Sequence, residues 1–183
     1  VCLRDRDGEA GNDESGISVS LSSDGSTVAI GASYNSSYSG HVRVYNWNGS
    51  SWDQLGQDID GEAANDNSGY SVSMSDDGNT VAIGAPYQSN GNGNNSGHVR
   101  IYNYNGSSWN QIGNDIDGEV SNDFSGWSVS LSSDGNTVAI GAPYNDGNGS
   151  NVGHVRIYEN VGGSWSQVGQ DIDGEANDDY SGY

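Results

Sequence analysis

Apolar and polar residues alternate along short runs of this chain, and the runs return at a nearly fixed interval. In the middle of the sequence they are Tyr70–Ser75, Thr80–Ala85, His98–Asn103 and Ser108–Gly113. A period of two places alternate side chains on opposite faces of a strand. Val72 and Met74 therefore share one face of the first run. Val81 and Ile83 lie opposite Ala82 and Gly84 in the second, and Val99 and Ile101 lie opposite His98, Arg100 and Tyr102 in the third. The fourth run carries Trp109 and then Ile112. Asp77–Gly78 separates the first pair and Asn105–Gly106 the last, and both dipeptides favour tight hairpin turns. No helical stripe interrupts this pattern.

The set of runs is a repeat. Ser18, Ser71 and Ser128 open equivalent strings, spaced by 53 and 57 residues; Gly40, Gly97 and Gly153 open another, spaced by 57 and 56. A unit of this length with four antiparallel strands is the make-up of a propeller blade. The predicted fold is all-β, with three full blades at 5–57, 58–114 and 115–170. Residues 1–4 read as the end of a preceding blade and 171–183 as the start of a following one. Gly31, Gly84 and Gly141 recur inside the second strand, as close approach of another sheet requires. Three blades do not close the usual ring of four to eight. Further sequence or other subunits would complete it, or the sheets form an open stack.

Composition narrows the class of partner. There are 25 acids against 5 basic residues, all Arg, for a net charge of −20. Nucleic acid is excluded, because phosphate binding needs basic patches, and anionic membranes are disfavoured for the same reason. Such a charge repels itself, so cations or ionic strength would help the fold. Low apolar content and high charge otherwise point to disorder; the regular strands and 17 aromatic residues argue for a folded protein. No apolar run is long enough to span a bilayer. No signal peptide is visible, but the chain starts within a repeat, so that absence carries little meaning.

The string SGYSVSMSDDGNTVAIGAPY, followed by GHVRIY, resembles the FG-GAP repeat. Gly84-Ala85-Pro86 and Gly141-Ala142-Pro143 carry its Gly-Ala-Pro element, while the first unit has Gly31-Ala32-Ser33. Tyr70 and Trp127 follow the Ser-Gly pair, where Ile17 stands in the first unit. The resemblance covers all three units. It implies a propeller like that of the integrin α-chain head, an extracellular setting, and calcium held in an acidic hairpin loop. Here that hairpin is too short for the family's cation loop, so calcium at that position is not implied.

Acidity is concentrated instead in the connector between units. Its four copies begin at Asp5, Asp58, Asp115 and Asp171 and hold 18 of the 25 acids. Asp58, Asp60, Glu62 and Asp66 recur as Asp115, Asp117, Glu119 and Asp123, and as Asp171, Asp173, Glu175 and Asp179. Clustered carboxylates around a glycine suit Ca²⁺. The same residues also suit a solvated turn whose acids cap backbone N–H groups and pair with Arg43, Arg100 and Arg156. Both readings stand at this point. The three histidines, His41, His98 and His154, occupy one equivalent position and read as structural hydrogen-bonding residues, too far apart to share a metal. Cys2 falls in an apolar slot and reads as a small buried hydrophobe.

Trp52, Trp109 and Trp165 on the last strands read as blade packing. Trp47 and Tyr104, near the Asn-Gly hairpins, are the candidates for exposed ligand contact. Asn35, Asn48, Asn94, Asn105 and Asn148 each begin an Asn-x-Ser glycosylation signal in a loop. No nucleophile elbow, paired-His metal motif or phosphate loop is present. Paired carboxylates could serve glycoside hydrolysis, but an active site is normally built once and these acids recur in every unit. The expected protein is therefore not an enzyme. It is an extracellular structural or adhesive repeat module, part of a larger surface protein or filament, contacting proteins, glycans or copies of itself through avidity. A lectin-like sugar-binding propeller is the alternative, and an enzyme with its unique residues outside this chain is a third reading.

Overall fold

A computed structural model describes residues 13–183; Cys2 and most of the first connector lie outside the described residues. Three antiparallel sheets follow one another along the chain. The first contains β1 (Ser18–Leu21), β2 (Thr27–Ala32), β3 (His41–Trp47), β4 (Trp52–Gln54) and β5 (Ile59–Asp60). The second contains β6 (Ser71–Met74), β7 (Thr80–Ala85), β8 (His98–Tyr104), β9 (Trp109–Gln111) and β10 (Ile116–Asp117). The third contains β11 (Ser128–Leu131), β12 (Thr137–Ala142), β13 (His154–Val161), β14 (Ser164–Gln167) and β15 (Ile172–Asp173). A single turn, α1 (Asn35–Tyr38), sits in the first sheet's long loop.

Each sheet is a four-stranded meander whose outer strand comes in two pieces. Tyr45, Asn46 and Trp47 of β3 pair with β4, while His41 and Val42 pair with Asp60 and Ile59 of β5. The expected unit boundaries at 57/58 and 114/115 therefore cut an outer edge rather than fall between sheets. Two paired residues after a Gly-containing bend are too short to show as an alternating run.

Successive sheets pack face to face. Val42, Val44 and Ile59 of the first meet Met74, Val81, Ile83 and Trp109 of the second. Val99, Ile101 and Ile116 of the second meet Val138 and Ile140 of the third. β7 is buried along its whole length because both of its faces are covered. The first strands run beside one another, and Ser20 and Ser73 accept the backbone N–H groups of Met74 and Leu131 at 3.0 and 2.9 Å. Ser18, Ser71 and Ser128 donate to the carbonyls of Gly69, Gly126 and Gly182 on the next unit at 2.7, 2.8 and 2.9 Å. Those carbonyls pass directly over Gly31, Gly84 and Gly141, the close approach that the recurring glycine anticipates. These sheets are propeller blades, with the first strand of each on the inner side.

The tryptophans of the last strands tie blades together. Trp109 is buried and its indole N–H donates to the Leu55 carbonyl at 2.7 Å; Trp165 does the same to Ile112 at 2.9 Å. An indole N–H that is buried needs such a partner.

Candidate functional site

The connector acids divide among several jobs. Asp66, Asp123 and Asp179 cap their own turn: Asp66 accepts the Ala63 N–H at 2.7 Å, and Asp123 accepts those of Glu119 and Val120 at 3.1 and 3.0 Å. Asp179 accepts from Glu175 and Ala176. Asp58, Asp115 and Asp171 each accept the amide of a glutamine on the preceding strand, Gln54, Gln111 and Gln167. The side chains of Asp117 and Asp173 accept from the loop residues Asn90 and Asn148. Arg100 reaches the Asp60 carbonyl at 2.8 Å and stands 3.7 Å from Glu62; Arg156 repeats this with Asp117 and Glu119 at 2.8 and 3.6 Å. The expected pairing of connector acids with the recurring arginines is thus met at Arg100 and Arg156.

Among the described residues, no connector gathers all four of its acids into one set. Glu62 instead approaches the following connector's Asp115, with His98 between them, and Glu119 likewise approaches Asp171 and His154. His41 groups with Asp58 and Asp60. The three histidines do not share one site, as the sequence anticipates, yet each has its own carboxylates. A constant spacing of 17 residues from histidine to aspartate, in all three units, is the signal that could have found this arrangement.

Burial shapes the electrostatics here. His98 is 1% exposed, and loss of solvent, assisted by the positive Arg100 and opposed by Asp115, lowers its pKa to about 4. His154 moves in the same direction for the same first cause. Burial raises Glu62, Asp66 and Asp117. A histidine whose folded pKa lies below its unfolded value contributes no penalty above about 6.5 and destabilises as pH falls toward its folded pKa. By pH 5 the His98 contribution is about 2 kcal/mol. The raised carboxylates Glu62, Asp66 and Asp117 work in the opposite direction, favouring the fold as pH falls, but none of them is as deeply buried as His98. The metal-free protein should therefore unfold at lower urea at pH 5 than at pH 7.5, and His98→Gln should shrink the difference. Equal midpoints at the two pH values would count against a neutral buried His98.

The second concentration of chemistry is aromatic. Strand pairing puts the start of each first strand, the end of each second strand and the start of each third strand at the same end of a blade. Tyr70 and Trp127 stand there at 4.9 Å, Tyr87 lies 5.3 Å from Phe124, and Tyr144 lies 5.2 Å from Phe124 and 5.3 Å from Tyr180. Tyr34 and Tyr38 extend the band in the first blade. Phe124 and Tyr180 hold φ values of 53° and 52°, in the left-handed region that bulky residues avoid. A cleft of about 320 Å³ is lined by Tyr34, Tyr38 and Tyr87 together with Asn65, Asn67 and Asn95.

Trp47 and Tyr104 lie at the opposite end, as the last residues of β3 and β8 before the hairpins. Trp47 is 41% exposed and 5.6 Å from Trp52, whereas Tyr104 leans on Trp109 and the core. Asn48, Asn94, Asn105 and Asn148 are exposed on loops; Asn35 is half-buried and donates to Asp13.

Stacked four-stranded blades with inward first strands define the protein as a β-propeller-type repeat module. The FG-GAP repeat matches residues 49–102 and 116–158, and the chain belongs to that family. No curated protein matches it. Among solved structures it is similar to a Bacteroides uniformis protein described as a 6-phosphogluconolactonase, at 15% identity and a TM-score of 0.54 over 85% of this chain and 40% of that one. It is also similar to Kuenenia stuttgartiensis hydrazine synthase, at 10% identity and a TM-score of 0.52 over 94% of this chain and 41% of that one. The chain spans about 40% of the length of these structures, and at such identities they share the fold alone. No helix among the described residues is long and apolar enough to cross a membrane.

Proposed function

We propose that this module is an extracellular structural or adhesive segment, not an enzyme, and that its contact surface is the aromatic band at one end of the blades. The observation that carries this reading is the recurrence of half-buried aromatic rings across adjacent blades, two of them held in strained backbone. Strain of order 1–3 kcal/mol at a bulky residue persists where it serves a surface that the rest of the fold can support. Tyrosine and tryptophan suit interfaces because one flank is apolar and the other polar. The partners are surface or matrix proteins or glycans. The cleft that sets amide side chains beside tyrosine rings favours the lectin-like form of this reading, since it offers both hydrogen bonds and apolar faces.

Further blades, from the same protein or another copy, fit the first sheet. Val28, Ile30, Tyr45 and Trp52 line a cleft there and are the repeat equivalents of Val81, Ile83, Tyr102 and Trp109, which are buried between blades. Self-assembly into a ring or filament would use this face. Ca²⁺ belongs to the reading as a counter-ion: it stabilises by screening the acidic connectors, so millimolar Ca²⁺ should raise the melting temperature at low salt.

Binding to a glycan array and to a panel of matrix proteins tests the adhesive role. Tyr38→Ala and Tyr87→Ala should abolish the signal, while Trp47→Ala keeps it. Loss on Trp47→Ala alone would move the contact surface to the hairpin end, and no binding by the unaltered chain would sink the reading.

A further inference from the structure

In the second and third blades the histidine at the head of the third strand faces carboxylates from two different connectors, and in the first blade it faces two from one connector. In the second blade Glu62 arrives from the connector that enters the blade, His98 from β8, and Asp115 from the connector that leaves it; one donor atom from each lies within 4.8 Å of the others. Glu119, His154 and Asp171 repeat the set in the third blade. In the first blade His41, Asp58 and Asp60 meet the same spacing.

We propose that these are binding sites for a borderline divalent cation of the zinc class, one per blade. Acid clusters alone are common on a protein this acidic, so the histidines decide the matter. His98 is 1% exposed and both of its ring nitrogens lack a hydrogen-bond partner. Its Nδ1 faces Asp115 Oδ2 at 3.7 Å, and His154 Nδ1 faces Asp171 Oδ2 at 3.6 Å. Both gaps are too long for a hydrogen bond. A tetrahedral ion with bonds of about 2.0–2.1 Å spaces its ligands roughly 3.3 Å apart, so the gaps need to close by only a few tenths of an ångström. Leaving a buried imidazole nitrogen unpaired is costly, and a metal is one of the few partners that satisfies it beside carboxylates.

The donor set selects the ion. Ca²⁺ and Mg²⁺ take oxygen ligands, whereas an imidazole with two carboxylates suits Zn²⁺ and its first-row neighbours. Glu62 also pairs with Arg100, but a carboxylate has two oxygens and can serve both. Three protein ligands leave a position for water. Because the sets of the second and third blades draw on two connectors and a strand, an ion bound there ties a blade to the connectors on both sides of it. Such a staple is distinct from the weak screening expected of Ca²⁺.

The experiment is calorimetric titration of the chelator-treated 183-residue chain with Zn²⁺ at physiological salt, and in parallel with Ca²⁺. The expected result is about three Zn²⁺ per chain and no stoichiometric Ca²⁺ binding. The variant Asp115→Asn with Asp171→Asn, altered at part-exposed side chains and checked for folding by circular dichroism, should retain about one. Nitrogen-15 spectra of the histidine side chains in the unaltered protein supply a readout that needs no variant: Zn²⁺ should shift Nδ1 of His98 and His154. No binding, full stoichiometry in the double variant, or unshifted imidazole resonances would each overturn the proposal. None of these outcomes bears on partner binding by the aromatic end, which the array measures separately.

Discussion

Replacing Trp109 with alanine should cost about 3–5 kcal/mol, the largest loss expected from any single truncation in this chain. Trp109 is only 3% exposed and packs with Val81, Ile83 and Tyr102 of its own sheet against Val42, Val44 and Ile59 of the sheet before it. Its indole N–H donates to Leu55, and its own backbone N–H and carbonyl are both held by the Gln57 side chain, at 3.2 and 3.0 Å. The side chain therefore joins two blades by area and by hydrogen bond together. Trp109→Phe separates the two: it keeps most of the packing and leaves the Leu55 carbonyl without its indole donor, for a loss nearer about 1–3 kcal/mol. Trp165 makes the equivalent bond but is half-exposed, so Trp165→Ala should lose less. Urea midpoints for the three variants check the order. A Trp109→Ala midpoint no lower than that of Trp165→Ala would mean that burial is not what sets the cost.

How much of this was open to reading in the sequence follows from where each partner sits along the chain. The strands were legible because alternation is local: Val81 and Ile83 oppose Ala82 within four residues, and both faces of β7 are indeed covered. The hairpin turns were legible for the same reason, and so was the glycine of the second strand, since its recurrence demands a steric cause. The outer-edge pieces β5, β10 and β15 were not, because two residues cannot show a period. The histidine–carboxylate sets were hidden by a different obstacle. In the second blade the carboxylates come from two connectors, Glu62 and Asp115 lying 53 residues apart, and proximity between them exists only once the blade between them has folded. The aromatic band has the same character. Tyr87, Phe124 and Tyr144 belong to a loop, a connector and the next loop, and only the stacking of blades brings their rings within 5.2–5.3 Å. Trp47 and Tyr104 stood out in the sequence as hairpin aromatics, but that position says nothing about neighbours, and Tyr104 finds one in Trp109.

Gly84→Ala is the second large expected effect, on the order of 3 kcal/mol. A Cβ at Gly84 would lie 2.1 Å from the Gly126 carbonyl oxygen and 2.3 Å from Ser71 Oγ. The serine could turn away at the loss of its hydrogen bond to Gly126. The carbonyl is backbone, and Gly126 itself is fixed by φ of 87° and by its N–H bond to Gly141. Relief therefore requires the second and third blades to separate, which also loosens contact between Ile101 and Ile140. Gly91→Ala is the matched control: nothing lies within 4 Å of its Cβ position, and its φ is not left-handed. It should be neutral or slightly stabilising, because alanine narrows the unfolded ensemble. Adding Ser71→Ala to Gly84→Ala should recover little, since the closer of the two clashes stays. If the double variant regained full stability, the serine rather than the next blade's backbone would be what forbids a side chain at this position, and the glycine would report a contact within one sheet instead of the distance between two.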